Sequence, residues 1–215
     1  INVFAIMPDG SSALSFAIRG NLNFIALKIL NQMPEKELNI LNRLANGVTC
    51  LHLALIFSFS DVAKALILKG ANIHLRNEKT GKTALHYAIS ANQIEIVKLL
   101  LEKEADILAL DNNHQNVLYD ACKEENFEIV QLLINEAEKR KCVSELIHQK
   151  TLSGHTAFFL AVNANTESAY PMTMLLIEKS SEVLKNEPFY LASLMFSAYF
   201  AHLKIFELLT NLSFQ

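Results

Sequence analysis

Apolar residues recur three and four positions apart in short segments of this chain, and each segment has a partner just upstream. Val62-Ala-Lys-Ala-Leu66-Ile67, Ile96-Val97-Lys-Leu99-Leu100-Leu101, Ile129-Val130-Gln-Leu132-Leu133-Ile134 and Met172-Thr-Met-Leu175-Leu176-Ile177 carry one such pattern. Ahead of them stand the octets Gly47-Val-Thr49-Cys-Leu51-His52-Leu-Ala54 and Gly81-Lys-Thr83-Ala-Leu85-His86-Tyr-Ala88, with looser copies at 10–17, 114–121 and 154–161. The spacing in both halves is helical. A sixth pair is expected where Ile205, Phe206, Leu208 and Leu209 follow a blurred first half at 193–197.

Near-copies starting at positions 47 and 81 make the chain an array rather than one closed core. Two short helices cannot bury an apolar face alone. Stacked neighbours can, so the core is expected to run along the array. Gly70, after the second helix of its unit, supplies a stop because glycine tolerates left-handed backbone. From there to the next octet an extended, hairpin-like connector is predicted. Units near 8–43, 44–77, 78–110, 111–150, 151–186 and 187–215 make residues 1–215 a single array.

Gly-x-Thr-x-Leu-His-x-Ala, followed by Ile-Val-Lys-Leu-Leu-Leu-Glu-Lys-Glu-Ala-Asp-Ile at 96–107, resembles the ankyrin-repeat family. The likeness is strong over 44–134, clear over 151–180 and weaker at both ends. It implies an all-α solenoid of helix-turn-helix units joined by hairpin-like loops. There are departures. The family's proline between Thr and Leu is replaced by Cys50, Ala84, Val117 and Ala157. The first unit reads as one residue short around Arg19-Gly20-Asn21, and about three extra residues fall within 166–171 of the fifth. Longer connectors are expected between Gly10 and Gly47, and between His114 and Gly154.

The resemblance implies that His52 and His86 are structural, bonding backbone near the inter-repeat turn. Their repeat positions argue the same way: packed helices lie about 8–10 Å apart, whereas zinc ligands sit about 2 Å from the ion. Thr49, Thr83 and Thr156 read as helix N-caps. Cys50 and His52 are two apart on a helix and do not face one another. Cys122 has no histidine three or four residues away, so neither thiol has a partner to lower its pKa. Phosphate loops, Gly-x-Ser-x-Gly and His-Glu-x-x-His are absent from the sequence. No catalytic, cofactor or metal site is expected, and the chain is read as non-enzymatic.

Composition narrows the setting. With 51% hydrophobic residues, six glycines and four prolines, the chain suits a packed array rather than a linker. A net charge of −3 gives no general attraction to nucleic acid or membrane. Three scattered cysteines without ligand spacing suggest a reducing, cytoplasmic location. No run reaches the roughly 18 apolar residues of a membrane span. The chain begins at Ile1 without Met, and a longer parent protein is expected. Leu194, Phe196, Tyr199, Phe200, Leu203, Phe206 and Leu209 leave the last unit little polar surface, unlike a terminal cap. Another unit, another domain or a partner covers that end, or the second helix buries more of it.

Partner contacts are implied along the concave side, on the hairpin tips and the ends of the first helices. The candidates are Asn46, Val48, Ile56 and Phe57 in the second unit; Lys79, Lys82 and Ser90 in the third; and Asn112, Asn113, Gln115, Lys123 and Glu124 in the fourth. Ile56 and Phe57 are unusual, with Phe59 just beyond. Either they anchor a partner or they fill a gap beside a shortened first unit. Residues 95–138 hold eleven Asp or Glu against three Lys. That segment either attracts a basic partner or is a solvated edge. Glu138-Lys139-Arg140-Lys141 is too short a basic patch to indicate nucleic-acid binding.

The function expected is a protein-interaction scaffold for a partner protein or peptide. Two rivals remain: an effector delivered by an intracellular bacterium into a host cytosol, suggested by the many Asn, Ile and Lys residues, and the substrate-recruiting part of a larger enzyme.

Overall fold

A computed structural model describes residues 6–34, 41–42, 45–164, 166 and 168–180. Within them the chain is all-α, with eleven helices and, in place of strands, two isolated antiparallel bridges, Ile6 to Ser12 and Ala45 to Val48. The sixth unit expected at 187–215, with its apolar end, lies outside the described residues. The chain divides into two compact bodies, Ile1–Asn112 and Asn113–Gln215, at the junction of the third and fourth units.

The first body holds three helix pairs: α1 (Ala13–Arg19) with α2 (Asn23–Gln32), α3 (Cys50–Ile56) with α4 (Ser60–Leu68), and α5 (Ala84–Ser90) with α6 (Ile94–Glu102). First helices pack on first helices, α1 on α3 on α5, and second helices likewise, α2 on α4 on α6. Leu14, Ile18, Leu51, Leu55, Leu66, Leu85, Ile89 and Leu100 are fully buried between them.

The octet fixes where each first helix starts and stops. Ser12 and Thr49 occupy N-caps in extended backbone, and their hydroxyls accept the amides of Ser15 and His52. Five residues beyond the octet alanine, the amides of Leu22, Phe59 and Gln93 donate back to the carbonyls of Ala17, Ala54 and Ala88 at 2.8, 2.8 and 2.9 Å. Asn21, Ser58 and Asn92 turn left-handed there, with φ of 59°, 58° and 54°. This closure pairs carbonyls that a helix end leaves open.

All three pairs therefore share the same three-residue turn: 20–22, 57–59 and 91–93. The shortening expected around residues 19–21 does not exist. The apolar residues Phe24 and Ile25 of α2 are exposed, so apolar spacing misreports that helix's register.

The second body contains α7 (Val117–Lys123) with α8 (Phe127–Arg140), then α9 (Val143–His148), then α10 (Ala157–Asn163) with α11 (Ala169–Ser180). The long connector expected before Gly154 is mostly helix. α8 runs to 14 residues, and its last turn is held by Glu136, which pairs with Lys139 and Arg140 at 2.9 Å each. α9 adds six more residues and buries Leu146 and Ile147. In the fifth unit, residues 164–168 separate the helices. α11 starts three residues before Met172, whereas α6 starts two before Ile96. The three extra residues are thus split between loop and helix.

Tight turns end the connectors. In the first body the Glu78 amide donates to the Gly47 carbonyl (3.0 Å), and the Asn112 amide to the Thr80 carbonyl (2.9 Å), tying successive tips together. Gly81 sits at φ 73°, and a Cβ there would run into Asn112 Oδ1 and come within 2.8 Å of Arg76 Nη2 and the Asn112 amide. Gly81→Ala is expected to cost about 1–3 kcal/mol, read as a fall of several degrees in melting temperature. Gly70→Ala has left-handed strain but no such neighbours, and should cost less.

Candidate functional site

The structure gives His52 a structural task. Its Nδ1 accepts the Thr49 amide at 3.2 Å, and its Nε2 lies 3.1 Å from the Leu75 carbonyl, so a neutral ring protonated on Nε2 satisfies both. One side chain thereby caps its own helix and holds the connector to the next pair. His86 repeats the first bond, accepting the Thr83 amide at 3.2 Å. Burial pushes the His52 imidazole down from 6.5 to about 4, although the Leu75 carbonyl favours the charged form.

In the fourth unit Tyr119 stands where the histidine would be. Asn116 takes over both jobs, capping the Tyr119 amide at 2.9 Å and donating from Nδ2 to the Leu146 carbonyl at 2.7 Å. Thr156 caps α10.

Burial also raises the Cys50 thiol to about 11 and the Cys122 thiol to about 12. Both are neutral, enclosed side chains, the reverse of what a nucleophile requires. Among the described residues no group of three or more His, Cys, Asp or Glu is placed to hold a metal ion, and no helix is long and apolar enough to cross a membrane.

The candidate contact residues all reach solvent. Asn46, Ile56, Phe57, Lys79, Ser90, Asn112, Asn113, Lys123 and Glu124 are exposed, and Val48, Lys82 and Gln115 are half-buried. In the first body the tip at 46–48 is bonded to the tip at 78–82, and Asn112 Nδ2 donates to the Lys79 carbonyl at 3.0 Å. Asn112 is therefore partly occupied in joining tips. Ile56 and Ser90 close the adjacent helices α3 and α5. In the second body Asn113 and Gln115 lie on a tip, where the Asn113 carbonyl accepts the Leu152 amide at 3.0 Å; Lys123 and Glu124 end α7.

Ile56 and Phe57 are 46% and 44% exposed. They do not fill a gap in the core, and the first unit is not short. Phe57 stacks on Phe59 at 6.1 Å. At the equivalent places the third pair carries Ser90 and Ala91, and the fourth Lys123 and Glu124.

The acidic segment is less uniform than its composition suggests. Asp111 and Asp120 are buried, and Glu136 is paired, while Glu124 and Glu128 stay exposed. Lys139 and Arg140 of the small basic patch are the partners of Glu136.

Three ties between neighbours were not foreseen from the residues. Arg76 donates from Nε to the Gly81 carbonyl (3.0 Å) and from Nη2 to the Leu110 carbonyl (2.6 Å). Gln93 donates from Nε2 to the Leu55 carbonyl of the preceding pair (3.0 Å). The Asn77 amide Nδ2 donates to the Tyr87 hydroxyl (2.7 Å), while Tyr87 packs edge-on against His52 of the preceding pair at 5.4 Å.

Residues 60–144 match the family model for ankyrin repeats, in three copies. Over those residues the chain carries ankyrin repeats. An ankyrin repeat protein of Variola virus is 29% identical over 140 residues, covering 64% of this chain and 22% of its own. The nuclear factor NF-kappa-B p105 subunit of Gallus gallus is 27% identical over 108 residues, 49% of this chain and 11% of its own. This ankyrin-repeat chain thus spans about a fifth or less of these two relatives. The ankyrin repeat domain of Bcl-3, described as a unique member of the IkappaB protein family, superposes with a TM-score of 0.60 at 23% identity, over 83% of this chain and 74% of that one. It shares the fold. Ankyrin repeats are a protein-interaction fold, and no enzyme family is indicated.

Proposed function

We propose that this ankyrin array is a non-enzymatic recognition module, holding a partner protein or peptide on the side lined by hairpin tips and first helices. The observation that carries the reading is the exposure of Ile56 and Phe57, braced by Phe59, where sister repeats place polar or small residues. Phe57 contributes its main chain to the helix end: its amide donates to the Leu53 carbonyl at 3.0 Å. Any residue can do that, so the helix end does not require an aromatic ring there. A rigid aromatic beside an aliphatic side chain is the type of anchor that dominates binding energy. Lys79 on the neighbouring tip adds a cation at the rim.

Phe57→Ala is expected to leave stability within about 0.5 kcal/mol, as for other exposed substitutions, while weakening partner binding about tenfold or more. The check is affinity capture followed by titration of the captured protein, with melting temperatures in parallel and a Lys79/Lys82 charge reversal as a rim control. A melting temperature that falls with intact binding would assign Phe57 to the fold. The effector and enzyme-recruiting readings gain nothing from this geometry.

A further inference from the structure

The first helix pair carries a second apolar surface, unrelated to Ile56 and Phe57. Phe16, Leu22, Phe24 and Ile25 are exposed, Phe16 at 52% and Phe24 at 79%. Their equivalents in the next two pairs say what this face is for. Phe16 corresponds to Leu53 and Tyr87; Leu53 is buried, and Tyr87 packs against His52 of the preceding pair. Leu22 corresponds to Gln93, which reaches back to the Leu55 carbonyl of the preceding pair. Ile25 corresponds to Val62 and Ile96, both fully buried.

The helices themselves make the same comparison. α4 and α6 each bury two stripes, Val62 with Leu66 and Ala63 with Ile67, then Ile96 with Leu100 and Val97 with Leu101. α2 buries only the second stripe, Ala26 with Leu30. What α4 and α6 have and α2 lacks is a helix pair on the upstream side. Phe24 lies off this junction: the same helical position holds Asp61 and Glu95, which stay exposed although their pairs have an upstream neighbour.

We propose that this face is a repeat-to-repeat junction whose occupant is a further ankyrin-type helix pair, lying upstream in the same polypeptide. It repeats the contacts that already join the first pair to the second and the second to the third. The Variola relative, of which this chain spans 22%, has length to spare for such pairs. Phe16 would pack on the first helix of the added pair as Tyr87 packs on α3. Leu22, whose side chain has no amide to donate, would seat against it by apolar contact alone.

The test compares hydrogen exchange of α1 and α2 in the 1–215 chain and in the full-length product of its gene. Amide protection in α1 and α2 is expected to rise on the order of 10–100-fold in the longer product, with α5 and α6 as internal reference. Phe16→Ser with Ile25→Ser should erase that rise and leave 1–215 nearly unchanged. Leu22→Ser alone serves as the milder variant if the double one destabilises α1, since Gln93 at the same place contacts the preceding pair. A gene product with no helix pair upstream, equal protection in both chains, or a dimer of 1–215 that these substitutions dissolve would each overturn the proposal.

Discussion

Leu66→Ala will lower the unfolding free energy by about 3–5 kcal/mol, the cost of a cavity at a site that cannot collapse. Leu66 is fully buried in α4, which packs on α3, α2 and α6. Its carbonyl also accepts the Ala71 amide that ends the helix, at 3.0 Å. The loss should not stay local. Each pair buries its apolar face against its neighbours, so hydrogen exchange in α2 and α6 is expected to accelerate together with α4. Urea unfolding gives the magnitude, and exchange measured by residue gives the spread. A cost confined to α4 would mean that the pairs are independent.

His52→Gln will remove an acid-dependent part of the stability. The folded pKa of His52 lies near 4, below the ordinary 6.5. Between those values the unfolded chain binds the proton and the folded chain does not. Stability from this group is therefore full above pH 6.5 and is lost as pH falls toward 4. The full difference is about 3 kcal/mol. Glutamine has no proton to gain and should flatten that part of the pH profile. At neutral pH it should also cost about 1–3 kcal/mol, because the Thr49 amide and Leu75 carbonyl lose a partner that spans both. The reading comes from urea titrations of both proteins at several pH values from 4 to 7, taken as a difference so that the carboxylates cancel.

The repeat itself was written plainly in the residues. The Gly-Thr-Leu-His-Ala spacing announces the cap, the helix and its end, and Thr49, Thr156, His52 and His86 stand where that spacing put them. These contacts span at most a few residues, so local order reveals them. What depended on distant partners was hidden. Asn116 replaces a histidine only because Leu146 lies beside it. α9 has just two buried apolar residues, Leu146 and Ile147, too few to show a helical period in advance.

The exposed residues follow the same division. The octet frame located the helix ends, and Ile56 and Phe57 with them, but left open whether a neighbour covered them. The expected short first turn encouraged a core role. The closing bond from the Leu22 amide to the Ala17 carbonyl shows that turn to be complete. Neither ring contacts nor burial are local properties, and both were needed to bring Phe57 to the surface.

The recognition account is tested most directly by differential hydrogen exchange on the 1–215 chain, alone and saturated with its captured partner. New protection is predicted at 55–60 and at the tips 46–48 and 78–82, with the amides around His52 and His86 unchanged relative to the core. Protection that instead centres on the histidines, or that leaves 55–60 untouched, would contradict it.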